Sequence, residues 1–76
     1  MYPEGCLINP EGKIIVVFEK DSSNPNQEGF IEFWEIIDNN SKQLTFKKRT
    51  NKRKGLSLRK TFIREGWKII EIEKVA

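Results

Sequence analysis

Ile14-Ile15-Val16-Val17-Phe18 is the longest apolar run in the chain, and it constrains the fold more than any other feature. It is far shorter than the ~20 apolar residues of a membrane-spanning helix. Its β-branched content favours a strand. Successive side chains in a strand point to opposite faces, so a strand with no polar alternation is buried on both. Lys13 to Lys20 is therefore expected to be a central strand.

The rest of the chain leaves little with which to cover it. With 76 residues, one domain spanning 1–76 is expected, and a domain this small buries only about 60% of its unfolded surface. The single cysteine, Cys6, excludes an internal disulfide, and no histidine is present. A Ser-His-Asp triad, a Cys-His pair and a histidine metal site are all excluded, and zinc would need several Cys or His ligands. No catalytic residue, metal or cofactor is expected, and no enzymatic activity. Met1-Tyr2-Pro3-Glu4-Gly5 lacks the basic and apolar regions of a signal peptide, so a cytoplasmic protein with no membrane contact is expected.

Asn9-Pro10-Glu11-Gly12 reads as a turn before the central strand, and 21–29 as a polar loop. Gly29 to Ile37 is ambiguous. Phe30, Phe33, Trp34 and Ile37 have helical spacing, whereas the aromatic and Ile-rich content favours a strand. A strand is the preferred reading, with a helix as its rival. After a turn at 38–41, Gln43 to about Arg49 is expected as a strand with Leu44 and Phe46 on one face. Lys52-Arg53-Lys54-Gly55 reads as a basic connection.

Residues 57–65 are expected to form a helix, with Ser57 as N-cap and Leu58 and Phe62 sharing a face. The rival is a strand, because Leu56, Leu58 and Phe62 also alternate. Gly66 fits the left-handed position after the helix, and Trp67 then falls where a Schellman motif brings it against Phe62. A strand from Trp67 to Val75 closes the chain. The expected fold class is α+β: a small antiparallel sheet of about four strands with the short helix packed on one face.

These segments in this order resemble a small domain family of marine cyanobacteria with no assigned activity. The resemblance rests on Gly5-Cys6-Leu7-Ile8-Asn9-Pro10-Glu11-Gly12, Phe18-Glu19-Lys20-Asp21, Lys47-Lys48-Arg49 and Phe62-Ile63-Arg64-Glu65-Gly66-Trp67. Cys6 stands where the family has an aromatic residue, and Phe62 where Trp is common. The resemblance implies the fold and a cytoplasmic location, and no mechanism.

The net charge of +3 hides an asymmetry. Up to Ser41 the chain carries eight acids against two lysines, or −6; from Lys42 onward it carries twelve Lys or Arg against three acids, or +9. All four arginines lie in the second part. Lysine enrichment alone is what codon drift in an AT-rich genome produces, but drift does not sort acids into one half.

The basic segment is the candidate site: Lys47, Lys48, Arg49, Lys52, Arg53, Lys54, Arg59, Lys60 and Arg64. Such clusters bind phosphate backbones by releasing condensed counterions, and arginine adds a fork that bridges two oxygens. The competing explanation is a solvated charged face. No zinc-finger spacing, helix-turn-helix pair or RNP aromatic signature is present, so backbone contacts to DNA or RNA are expected, without sequence readout. The alternative partner is an acidic protein or a second copy of the chain. The aromatic residues are expected in the core. Glu28, Glu32, Glu35 and Asp38 are expected on a solvated face, and Cys6 as a small buried hydrophobe.

Overall fold

The central strand is where the apolar run places it. A computed structural model of the protein describes residues 2–23 and 28–71. Strand β2 (Ile14–Lys20) lies in the middle of a five-stranded sheet, flanked by β1 (Gly5–Ile8) and β3 (Gly29–Asp38). Strand β4 (Ser41–Thr50) forms one edge. Helix α1 (Lys52–Arg64) then crosses the sheet, and β5 (Lys68–Ile70) forms the opposite edge beside β1. The order is β4-β3-β2-β1-β5 and every pairing is antiparallel. The α+β class with one helix holds, and the sheet has one strand more than expected. The additional strand is β1, four residues long and too short to announce itself in the sequence. It forms because its backbone pairs on both sides, with β2 and with β5, and because Leu7 is buried.

Residues 29–37, ambiguous in sequence, are strand. All seven residues of β2 pair with β3, and backbone pairing across the sheet overrides a helical spacing of apolar side chains. The closing strand is Lys68–Ile70; Trp67 and Glu71, within the expected strand, are not part of it, and 72–75 lie outside the described residues.

Two turns are set by side chains. The Asn9 carboxamide oxygen accepts from the backbone N–H groups of Lys13 (2.8 Å) and Ile14 (3.0 Å), while Gly12 adopts φ +73°. The Asp38 carboxylate accepts from the Asn40 N–H at 2.8 Å and closes the β3–β4 hairpin.

The helix begins earlier than the sequence suggests. Asn51, not Ser57, is the N-cap: its side chain accepts from the Lys54 N–H at 2.8 Å. Lys52-Arg53-Lys54-Gly55 is the first turn of the helix, not a connection. Glycine inside a helix is disfavoured by about 1 kcal/mol relative to alanine, which makes Gly55 look like a breaker. It is tolerated because Tyr2 packs there. A Cβ on Gly55 would lie 3.0 Å from the Tyr2 ring. The same ring covers Gly29 at the start of β3, and its hydroxyl hydrogen-bonds the buried Thr50 hydroxyl at the end of β4. Tyr2 thus joins the N-terminal segment to β3, β4 and α1.

The end of the helix is as expected. The Gly66 N–H donates to the Ile63 carbonyl (3.1 Å) and the Trp67 N–H to the Phe62 carbonyl (3.0 Å), with Gly66 at φ +97°. This is a Schellman motif, and its hydrophobic contact is the Phe62–Trp67 ring pair at 4.6 Å between centroids. Phe62 also meets Phe18 edge-on at 6.3 Å and Phe33 at 6.0 Å. The core therefore lies between α1 and one sheet face, built on Tyr2, Leu7, Val16, Phe18 and Ile31.

Leu44 and Phe46 do not share a face. Phe33 is level with Phe46 but Trp34 is level with Leu44, so Thr45 is an extra residue on β4. The Thr45 hydroxyl donates to the Phe33 carbonyl at 3.0 Å. This bulge sends Phe46 to the helix-covered face, against Phe33 at 5.8 Å, and Leu44 to the other.

Two substitutions test the Tyr2 contact by urea unfolding. Tyr2→Phe leaves the buried Thr50 hydroxyl without its partner and is expected to cost about 1–2 kcal/mol. Gly29→Ala drives a Cβ into the Glu19 carbonyl and the Tyr2 ring, and is expected to cost about 1–3 kcal/mol. Burial raises the Tyr2 phenol above its ordinary pKa of 10.0, with the Thr50 hydrogen bond opposing in part. The stability that comes with the protonated phenol is fully present below pH 10.0 and is lost as the pH rises through the folded-state value.

Candidate anion-binding surface

Acids and bases that are separated along the chain are neighbours in space. β3 carries the glutamates and β4 the lysines and Arg49, and the two strands pair along their length. Glu32 is opposite Lys47 in that register, and the Lys47 ammonium lies 3.3 Å from the Glu32 carboxylate. Glu32 is buried, and its other oxygen accepts from the Trp34 indole N–H at 3.0 Å. Arg49 reaches Asp21 at 2.8 Å and Glu28 at 3.6 Å. The cationic groups of Lys47 and Arg49 lie 4.7 and 4.8 Å from the centroid of the Phe30 ring. These two members of the candidate site already have acidic partners. Lys48, one residue out of phase with them, is on the helix-covered face opposite Ile31.

The helix is different. Gly55, Leu58 and Phe62 face the sheet. Arg53, Ser57, Lys60 and Arg64 follow one another at intervals of four, three and four residues, which places them in one stripe on the opposite face. Lys52, Arg53, Leu56, Ser57 and Lys60 line a shallow depression of about 420 Å³. Arg59 is half-buried on one flank of the helix, and Lys54 falls on the other. The helix contains no acidic residue; Glu65, its C-cap, is the nearest in sequence. Among the described residues, every salt bridge is made by Lys47 or Arg49 and none by a cation of the helix. The nine predicted residues thus divide: Lys47 and Arg49 sit with carboxylates, Lys48 lies on the covered face, Arg53, Lys60 and Arg64 align with Lys52 beside them, and Lys54 and Arg59 fall on the two flanks of the helix. Ser57, expected as the N-cap, belongs instead to this surface, because the helix is capped six residues earlier, at Asn51.

The first turn of α1 holds Lys52, Arg53 and Lys54 and no acid. The partial positive charge at a helix N-terminus opposes each such cation by about 0.3–1 kcal/mol. That arrangement is locally unfavourable, and departures of this kind concentrate where a protein binds something.

No group of His, Cys, Asp or Glu suited to a metal ion exists among the described residues, and no helix among them is long and apolar enough to cross a membrane. No protein-family model, curated protein or solved structure matches the chain.

Two carboxylates have depressed pKa values. Asp21 is held below its ordinary 3.8 by the hydroxyl of Ser23 and then by Arg49; Asp38 by the Asn40 N–H and then by Ser41. A depressed folded-state value means that the stabilisation is fully present above the unfolded value and is lost as the pH falls through the folded one. The urea midpoint is therefore expected to fall as the pH drops below 3.8, and Asp21→Asn should flatten part of that decline.

Proposed function

We propose that the protein is a non-enzymatic binding domain that lays the outer face of α1 along a polyanion, the backbone of a nucleic acid. The observation that carries this reading is the stripe of Arg53, Lys60 and Arg64, flanked by Lys52, on a helix with no acid of its own and no ion pair among the described residues. Arg64 lies eleven positions after Arg53, a rise of about 16 Å, enough to meet several consecutive phosphates. The Ser57 hydroxyl and the arginine forks add hydrogen-bond donors to the charge. No zinc-finger spacing, helix-turn-helix pair or RNP aromatic signature accompanies the stripe, so binding is expected to be salt-dependent and indifferent to sequence.

Fluorescence anisotropy with labelled duplex and single-stranded oligonucleotides, across salt concentrations, tests the proposal. Three phosphate contacts predict a slope of about −3 in log K against log salt on duplex DNA. Substituting Arg53, Lys60 and Arg64 by Gln should bring that slope close to zero while leaving the unfolding transition in place, since the stripe lies on the outer face of the helix. Lys47→Gln with Arg49→Gln should weaken binding far less. Absence of binding at low salt, or binding that survives the helix substitutions, refutes the reading.

A further inference from the structure

β2 is apolar on both faces, and α1 covers only one. On the other face Ile15 is just 5% exposed although, among the described residues, no helix or further strand layer lies over it; its neighbours in the sheet are Ile8 on β1 and Trp34 on β3. Side chains on this open face form rows across the strands, fixed by the register. The middle row runs Leu44, Trp34, Ile15, Ile8 and Lys68 from the β4 edge to the β5 edge. The next runs Lys47, Glu32, Val17, Cys6 and Ile70. The row at the end of the sheet begins with Arg49 and Phe30 and reaches Glu19. There, Glu19 lines a cleft of about 470 Å³ together with Glu4 and Glu71.

The face is thus apolar in the middle, cationic on the β4 flank and anionic at the opposite corner. The side chains of Lys47 and Arg49 are 47% and 49% exposed, whereas those of their partners Glu32 and Asp21 are only 11% and 13% exposed, so the flank presents its cations outward. Arg49 engages its intrachain acids through one terminal nitrogen, Nη1, and guanidinium has further N–H donors. Glu4, Glu19 and Glu71 make no salt bridge among the described residues.

We propose that this open sheet face is the interface of a homodimer, two copies packing face to face as a β-sandwich about a two-fold axis parallel to the strands. Such an axis keeps each row at its own level and reverses its order. It lays Arg49 of one copy level with the glutamate cleft of the other, twice over, and stacks the Trp34–Ile15–Ile8 row on its counterpart. An axis across the strands would instead bring β4 over β4 and cation over cation. The five strands, of 4, 7, 10, 10 and 3 residues in chain order, present roughly 540 Å² of plane at a rise of ~3.3 Å and a spacing of ~4.8 Å, about two thirds of the ~800 Å² per partner in a specific interface. The two sheets would sit about 10 Å apart. Both α1 helices would remain on the outside, so the dimer does not depend on what they bind.

Sedimentation equilibrium over a wide protein concentration range tests this. The wild type is expected to dimerise, and Trp34→Lys to give a monomer with an unchanged circular dichroism spectrum. Arg49→Glu, and separately Glu4→Arg with Glu19→Arg, should each raise the dimer dissociation constant at least ~10-fold. Mixing those two variants should restore a heterodimer, because both corner contacts then pair opposite charges. If Trp34→Lys fails to fold, the charge-swap mixture still decides, since Glu4, Glu19 and Arg49 are exposed. A wild type that is monomeric to its solubility limit overturns the proposal, as does a dimer indifferent to these substitutions or a mixture that fails to associate. A monomer whose nucleic-acid affinity is lost with Trp34→Lys overturns it in favour of nucleic acid on this face.

Discussion

Everything in this fold answers to one constraint: the middle strand cannot tolerate water on either side. Val16 and Phe18 turn one way and Ile15 and Val17 the other, and each set needs cover. The described residues supply a single helix, and that helix goes over Val16 and Phe18 by way of Phe62. The flanking strands shield the second face only in part, through Ile8 and Trp34. A small domain has so little buried surface in reserve that an apolar face left half-covered is a force for association.

The helix is held over its face at both ends by different means. At its start, the Tyr2 ring fits against Gly55 and Gly29, so the absence of two side chains makes room for one large one. At its end, Gly66 takes a left-handed conformation and Trp67 folds back on Phe62. The second of these was legible, because C-cap glycine and its hydrophobic partner lie at fixed spacing along the chain. The first was not. Tyr2 and Gly55 are separated by fifty-three positions, and nothing local to either announces the other.

The electrostatics divide in the same way. The tally of −6 and +9 is correct for the sequence, yet the molecule is not polar end to end, because a hairpin folds one half against the other. Pairing of β3 with β4 brings Glu32 to Lys47, and Asp21 with Glu28 to Arg49. Among the described residues, the cations of the helix make no ion pair after that pairing, and Arg53, Lys60 and Arg64 gather on its outer face. The candidate surface is therefore a subset of the basic segment, chosen by what lies beside each residue and not by how many cations follow one another.

Sequence by itself determined the α+β class, the central place of β2, the turn at Asn9–Gly12, the glycine stop at Gly66 and the basic character of residues 47–64. Each of these rests on local chemistry: β-branched propensity, glycine's access to positive φ, and charge. Residue types favoured a strand over 29–37, and pairing with β2 removed the helical rival; only the tertiary structure decided that the helix starts at Lys52, that Thr45 bulges and separates Leu44 from Phe46, and which cations of the basic segment have acidic partners. Those outcomes depend on contacts between residues far apart in the chain, where backbone pairing and close packing outweigh the modest preferences that a short segment can express alone.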